Sequence, residues 1–145
     1  MALDGLTDSA VRDLLLATRR IAVVGASDRP GRPSGGVFAF LLGRGYDAVP
    51  VNPALNGRSL QGVPSVATLE EARPLDLVDV FRRSEEAGAV VDEAVRLGAR
   101  AVWLQLGVVD QAAAERARAA GVVCVMDRCP AIEWGRLGLP ARIGG

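Results

Sequence analysis

IAVVGASDRPGRPS, residues 21–34, is the stretch whose reading decides the fold. Ile21, Ala22, Val23 and Val24 form a short apolar run that stops at Gly25. A loop rich in Ser, Asp, Arg, Pro and Gly follows, and Gly35–Leu42 then has the apolar spacing of a helix. Strand, loop and helix start in that order make a nucleotide-binding α/β unit. The free amides of a helix N-terminus, with its dipole, form a site for phosphate. The rest of the chain repeats strand and helix, building a sheet around this loop.

The composition narrows the chemistry. With 145 residues, half of them hydrophobic and 23% charged, the chain has the make-up of one globular domain, residues 1–145, able to bury a core. The formal net charge of zero gives no field for nucleic acid or an anionic membrane. No apolar run approaches the roughly 20 residues of a membrane span, and no signal-peptide core is evident. Cys124 and Cys129 are too few for a disulfide framework, so a reducing cytoplasm is expected. Histidine is absent, and all 17 basic residues are arginine. That removes phosphohistidine, histidine bases, lysine Schiff bases and the Walker lysine, and leaves a poor set of metal ligands, so no metal site is expected. Arginine suits bidentate recognition of phosphate. The expectation is a binding module with no catalytic residue.

Outward from the opening stretch, Thr7–Arg20 reads as a helix capped by Thr7 or Asp8, with Val11, Leu14, Leu15 and Thr18 on one face. Asp47–Val51 is a second strand closed by Asn52-Pro53, and Ala54–Val66 a loop. Thr68 to Glu71 has the capping-box pattern of a short helix that Pro74 stops. Leu77–Phe81 is a third strand, followed by a helix capped by Ser84. Ala101–Leu104 is a fourth strand, Asp110 caps another helix, and Val122–Met126 is a fifth. Ala131–Leu137 forms a last short helix, and Leu139–Gly145 reads as loose. Near-continuous apolar strands alternating with helices give an α/β fold, a doubly wound Rossmann-like domain with a five-stranded parallel sheet, most simply in the order 3-2-1-4-5. Function is then expected in the loops beyond the carboxyl ends of the strands: 25–34, 52–55, 81–84, 105–108 and 127–130.

Gly25, Ala26 and Ser27 do not make a G-x-G-x-x-G fingerprint, and no Walker sequence occurs. Ser34 as a helix cap, followed by Gly35 and Gly36, points to phosphate cradling. The second strand ends in Asn52, where NAD-binding units carry an acid for the ribose, which weakens NAD. Arg29, Arg32, Arg82 and Arg83 instead suit a ligand with an extra ribose phosphate, although any one of them reads equally well as a solvated surface charge. Cys124 reads as a core residue. Cys129, beside Arg128 at the ligand edge, is the one candidate nucleophile. The Glu70/Glu71, Glu85/Glu86 and Asp92/Glu93 pairs read as caps or solvated faces, and Trp103 and Trp134 as core.

Across Ile21–Ser34, GYDAVPVNP (45–53), DLVDVFRRS (76–84), AVWLQLGVV (101–109) and VMDRC (125–129), the chain resembles the small bacterial and archaeal CoA-binding proteins. Their fold is similar to the CoA-binding domain of the succinyl-CoA synthetase α subunit and of NDP-forming acyl-CoA synthetases. Those enzymes add further domains and a phosphorylated histidine, which this chain lacks, so the resemblance implies binding of coenzyme A without ligase chemistry. It places the pyrophosphate at Gly25, Ala26, Ser27, Arg29, Arg32, Pro33 and Ser34. The adenosine end falls between Asn52-Pro53 and Val80, Phe81, Arg82 and Arg83, and Gln105 and Gly107 lie near the pantetheine arm. Three readings stay open: a cytoplasmic module for CoA or an acyl-CoA, an NADP-binding oxidoreductase or redox sensor, and a CoA-binding subunit of a larger ligase. The expected partner is thus a small molecule, with no nucleic acid or membrane, and a homo-oligomer or ligase partner stays open.

Overall fold

The computed structural model describes residues 2–144. Helix α1 covers Asp8–Ala17, with the Thr7 hydroxyl accepting from the Ala10 amide as its cap. The elements then run β1 (Arg20–Val24), α2 (Pro33–Gly43), β2 (Asp47–Val51), β3 (Ser59–Leu60), β4 (Val63–Pro64) and β5 (Leu77–Val80). They continue with α3 (Ser84–Arg96), β6 (Ala101–Leu104), α4 (Gln111–Ala119), β7 (Val123–Val125) and α5 (Pro130–Arg136). The expected capping box forms: Thr68 Oγ1 accepts from the Glu71 amide, and the Thr68 amide donates to Glu71 Oε1. It starts a single turn, Glu70–Ala72.

The main sheet has five parallel strands in the order β2-β1-β5-β6-β7. The doubly wound parallel sheet is as expected, but in the expected strand numbering its order is 2-1-3-4-5, which corrects 3-2-1-4-5. The physical reason lies in the segment after β2. Val66 makes a parallel bridge to Val51, its amide donates to Pro50 O, and its carbonyl accepts from the Asn52 amide. The outer edge of β2 is thereby occupied, so the next long strand pairs with the free edge of β1. The antiparallel β3–β4 hairpin, which the loop signals of 54–66 conceal, belongs to that same segment.

Both sheet faces are covered, as apolar strands require. Ala87, Val91 and Ala94 of α3 and Ala113, Ala114 and Ala117 of α4 pack on one face. Val11 and Leu15 of α1, Val37, Phe38 and Leu41 of α2 and Trp134 of α5 cover the other. Trp103 is fully buried, its indole donating to Arg128 O at 2.8 Å. The segment after α5, expected to be loose, is tied down by Trp134 Nε1 donating to Pro140 O and the Ile143 amide donating to Arg44 O. Gly145 lies outside the described residues. Among the described residues no helix is long and apolar enough to cross a membrane.

Candidate functional site

The order 2-1-3-4-5 moves the winding reversal to the gap between β1 and β5, and ligands of open α/β sheets sit at that crevice. Gly25 leaves β1 there with a φ of 85°, and a Cβ on it would stand 2.2 Å from the Phe81 carbonyl oxygen. The backbones leaving β1 and β5 touch, and only glycine permits both the left-handed turn and that approach.

Beyond Gly25 the loop is held at both ends. The Asn52 side chain donates to Ala26 O at 2.9 Å and accepts from the Ala54 amide at 3.0 Å. Asn52 thus latches the end of β2 to the loop. The Ser27 amide donates to Ser34 Oγ at 3.0 Å, and Ser27 Oγ accepts from the Arg29 amide. Ser34 is therefore not the helix cap expected of it. Arg32 takes the cap position, Pro33 with its fixed φ opens α2, and the Ser34 hydroxyl turns back to brace the loop. Ser84 departs in the same way: Arg83 holds the cap position of α3 with no capping hydrogen bond from its side chain, and the Ser84 hydroxyl accepts from the Val109 amide and donates to Gly107 O.

A cleft of about 880 Å³ opens over these loops, toward the upper end of the roughly 300–1,000 Å³ usual for ligand sites. Gly25, Ser27, Arg29, Arg32, Pro33 and Ser34 line one side. Asn52 lines the β2 end, and Phe81, Arg82, Arg83 and Gln105 line the β5 and β6 ends. Four expected residues do not line it. Ala26 and Val80 are fully buried in the packing beneath. Pro53 starts an exposed turn, and Gly107 is tied to Ser84 and to Asp127 Oδ1. Residues not expected there complete the wall: Asp28, Ala54, Leu55 and Arg58 at one end, Val37, Glu86, Leu106 and Val108 at the other. Cys129 also lines the cleft.

The charge of the cleft is unlike that of the chain. Five arginines (29, 32, 58, 82 and 83) face two carboxylates, Asp28 and Glu86, a balance of three positive charges. Arg58 bonds Asp28 through both Nε and Nη2, and Arg83 bonds Glu86 at 2.6 Å. The hydrogen bond from Arg83 holds the Glu86 carboxyl below its ordinary value. The guanidinium groups of Arg29, Arg32 and Arg82 have no ion-pair partner among the described residues. Pro33 and Ser34, the first residues of α2, line the same space; Pro33 has no N–H, and the Gly35 amide donates to Arg32 O at 3.3 Å.

Under the cleft floor lies a residue that sequence reasoning missed. Asp79, in the middle of β5 between Val23 and Trp103, is 0% exposed and has no ion pair among the described residues. Burial pushes its carboxyl well above the ordinary value. Its side-chain partner is Gln105, whose carboxamide, oriented with nitrogen toward the acid, donates to Oδ1 at 2.8 Å and Oδ2 at 3.3 Å. An acid inside the apolar run LVDVF was the available signal. Cys124 is core, its thiol pushed up to about 11 by burial. Arg128 is not the free cation expected beside Cys129: its guanidinium is committed to Asp4, at 2.8 and 2.9 Å, and to Glu133.

Residues 19–135 match the family described as CoA binding domain. An uncharacterized protein, YneT, of Bacillus subtilis strain 168 is 38% identical over 120 residues, spanning 82% of this chain and 87% of its own. A hypothetical protein from Pyrococcus horikoshii OT3 is 33% identical and superposes with a TM-score of 0.87, over 94% of this chain and 96% of its own. The dinucleotide-forming acetyl-coenzyme A synthetase 1 of Candidatus Korarchaeum cryptofilum shares the fold. It is 20% identical with a TM-score of 0.67, over 77% of this chain and 26% of the enzyme.

Proposed function

This chain belongs to the CoA binding domain family, and from that premise we propose that it binds coenzyme A or an acyl-CoA in the cleft between β1 and β5, acting as one binding domain over residues 1–145. The observation that carries the proposal is the set of three guanidinium groups, Arg29, Arg32 and Arg82, that have no ion-pair partner among the described residues and share a cleft with the α2 N-terminus. Charge of that kind in an open cleft is matched by phosphate. The pyrophosphate lies on Ser27, Arg29, Arg32 and the first-turn amides of α2. Arg82, half-buried, meets the ribose phosphate, and the adenosine end lies toward Asn52 and Leu55. The pantetheine arm runs toward Gln105, Leu106 and Val108, where the lining turns apolar.

The activity proposed is recognition. The site offers arginines, amides and apolar surface, and the chain holds no histidine to carry a phosphoryl group. Asn52 spends both ends of its amide on the protein backbone, and the end of β2 presents no carboxylate to a nicotinamide dinucleotide's ribose. Calorimetry should give a CoA dissociation constant on the order of micromolar or tighter, with smaller thermal shifts for NADP and NAD at equal concentration. Neither heat nor stabilisation at millimolar CoA would refute the proposal, and a larger shift with NADP would reassign the site.

A further inference from the structure

Asp79 and Gln105 form a pair that simple phosphate recognition leaves unused. The acid is wholly buried beneath the cleft, and Gln105, itself buried, touches the acid and lines the cleft. An amide is a donor at one end and an acceptor at the other, and a carboxyl changes from acceptor to donor when it takes up a proton. An ionised Asp79 draws the Gln105 NH2 toward itself, which leaves the amide oxygen facing away. A neutral Asp79 donates its O–H to that oxygen and turns the NH2 outward.

Two influences oppose each other here. Burial without a cation favours the neutral acid. Donors facing the far end of the amide favour its oxygen there, and so the ionised acid. The in-register neighbours on β1 and β6 are Val23 and Trp103. In the layer on that face, the buried titratable groups are Tyr46, whose hydroxyl donates to Leu15 O, Cys129, and the Asp4–Arg128–Glu133 cluster, whose Glu133 is also met by Arg136; the charges of α1 besides, Asp8, Arg12 and Asp13, stand on its outer side. The remaining charges are the arginines of the cleft with Asp28 and Glu86.

We infer that Asp79 is a positioning residue: its proton decides whether the cleft meets the donor or the acceptor end of Gln105, and so whether the site favours a ligand carbonyl. The inference rests on the coenzyme A reading, because the carbonyl concerned is that of a thioester at the pantetheine end. As pH falls and Asp79 takes up its proton, the outward NH2 selects the thioester over a ligand without the carbonyl.

Acetyl-CoA and its thioether counterpart S-ethyl-CoA differ at that carbonyl, and every other titrating group is common to both. Their dissociation constants are to be measured by calorimetry across the pH range over which the protein stays folded. The preference for the thioester should rise about three- to tenfold, the worth of one hydrogen bond, and should stay constant in Asp79→Asn and in Gln105→Met. Both ligands binding with a ratio that ignores pH, or that changes equally in the variants, would overturn the inference and leave CoA binding standing. If neither ligand binds, the coenzyme A reading falls, and the side-chain amide nitrogen of Gln105, followed by NMR in the free protein, decides the pairing. A single-proton titration lost in Asp79→Asn supports it, and a flat signal or one that survives the substitution overturns it.

Discussion

Two corners of the same sheet edge use arginine in opposite ways. At the β1/β5 crevice, Arg29, Arg32 and Arg82 line a cleft with no carboxylate among the described residues answering them. At the β7–α5 corner, Arg128 is 8% exposed and is met by both oxygens of Asp4, by Glu133 and by Leu6 O. A buried cation must be paired from within the chain because desolvation is otherwise prohibitive. A cation in an open cleft keeps its water until something else pairs it. The difference separates arginines that hold the fold from arginines that await a ligand, and a net charge of zero conceals both.

The comparison breaks most sharply at Arg128. Arg128→Met leaves Asp4 buried and unpaired, and should cost about 3–5 kcal/mol of stability, read by denaturant unfolding. CoA affinity of the fraction still folded should not change. The Asp4 carboxyl links the same corner to pH. Burial raises its value, but the hydrogen bonds from Arg128 and from the amides of Leu6 and Met126 outweigh this and hold it below the ordinary carboxylate range. Its contribution is therefore complete above the unfolded value of about 4 and is lost as pH falls through the lower folded value. A variant that unfolds no more easily than wild type would mean the corner is dispensable and the contrast false.

Gly25→Ala tests the other corner through the backbone. The substitution meets a positive φ and a carbonyl oxygen at 2.2 Å, so the β1 and β5 loops must part. A loss of about 1–3 kcal/mol is expected from the strained conformation, with CoA affinity falling as well because Phe81 and Arg82 move with the backbone. A folded variant with unaltered CoA affinity would show that this crevice does not form the site.

Much of this was legible in the sequence. Apolar runs ending in Gly25, in Asn52-Pro53 and in Phe81-Arg82 marked the strands and the edge where their loops gather. The order of the strands was not, because no local pattern reports that Val66 occupies the edge of β2. Ser34 and Ser84 have the local chemistry of helix caps, yet each hydroxyl is taken by a backbone amide from another segment. Arg58 lay hidden in a stretch rich in turn residues, and reaches the cleft because the β3–β4 hairpin folds that stretch back. Asp79 was visible as an anomaly, but its partner Gln105 is brought to it by the pairing of β5 with β6.

The smallest expected effect separates two neighbours that the sequence presents as equals. Arg82 and Arg83 both line the cleft, but Arg83 already bonds Glu86 at 2.6 Å and lies 3.6 Å from Glu85, with a side chain 75% exposed. Arg82 is half-buried with its charge unanswered. If it meets the ribose phosphate, Arg82→Ala removes a charge-assisted hydrogen bond of about 1.5–3 kcal/mol, roughly tenfold or more in CoA affinity. Dephospho-CoA, which lacks that phosphate, should lose much less. Arg83→Ala should change the affinity for either ligand by no more than about twofold, since an exposed ion pair holds little of the site together. Equal losses for CoA and dephospho-CoA in Arg82→Ala would move that contact to the pyrophosphate. A larger loss at Arg83 than at Arg82 would mean that ligand binding breaks the Arg83–Glu86 pair, and that ion pairing in the free protein does not tell binding arginines from structural ones.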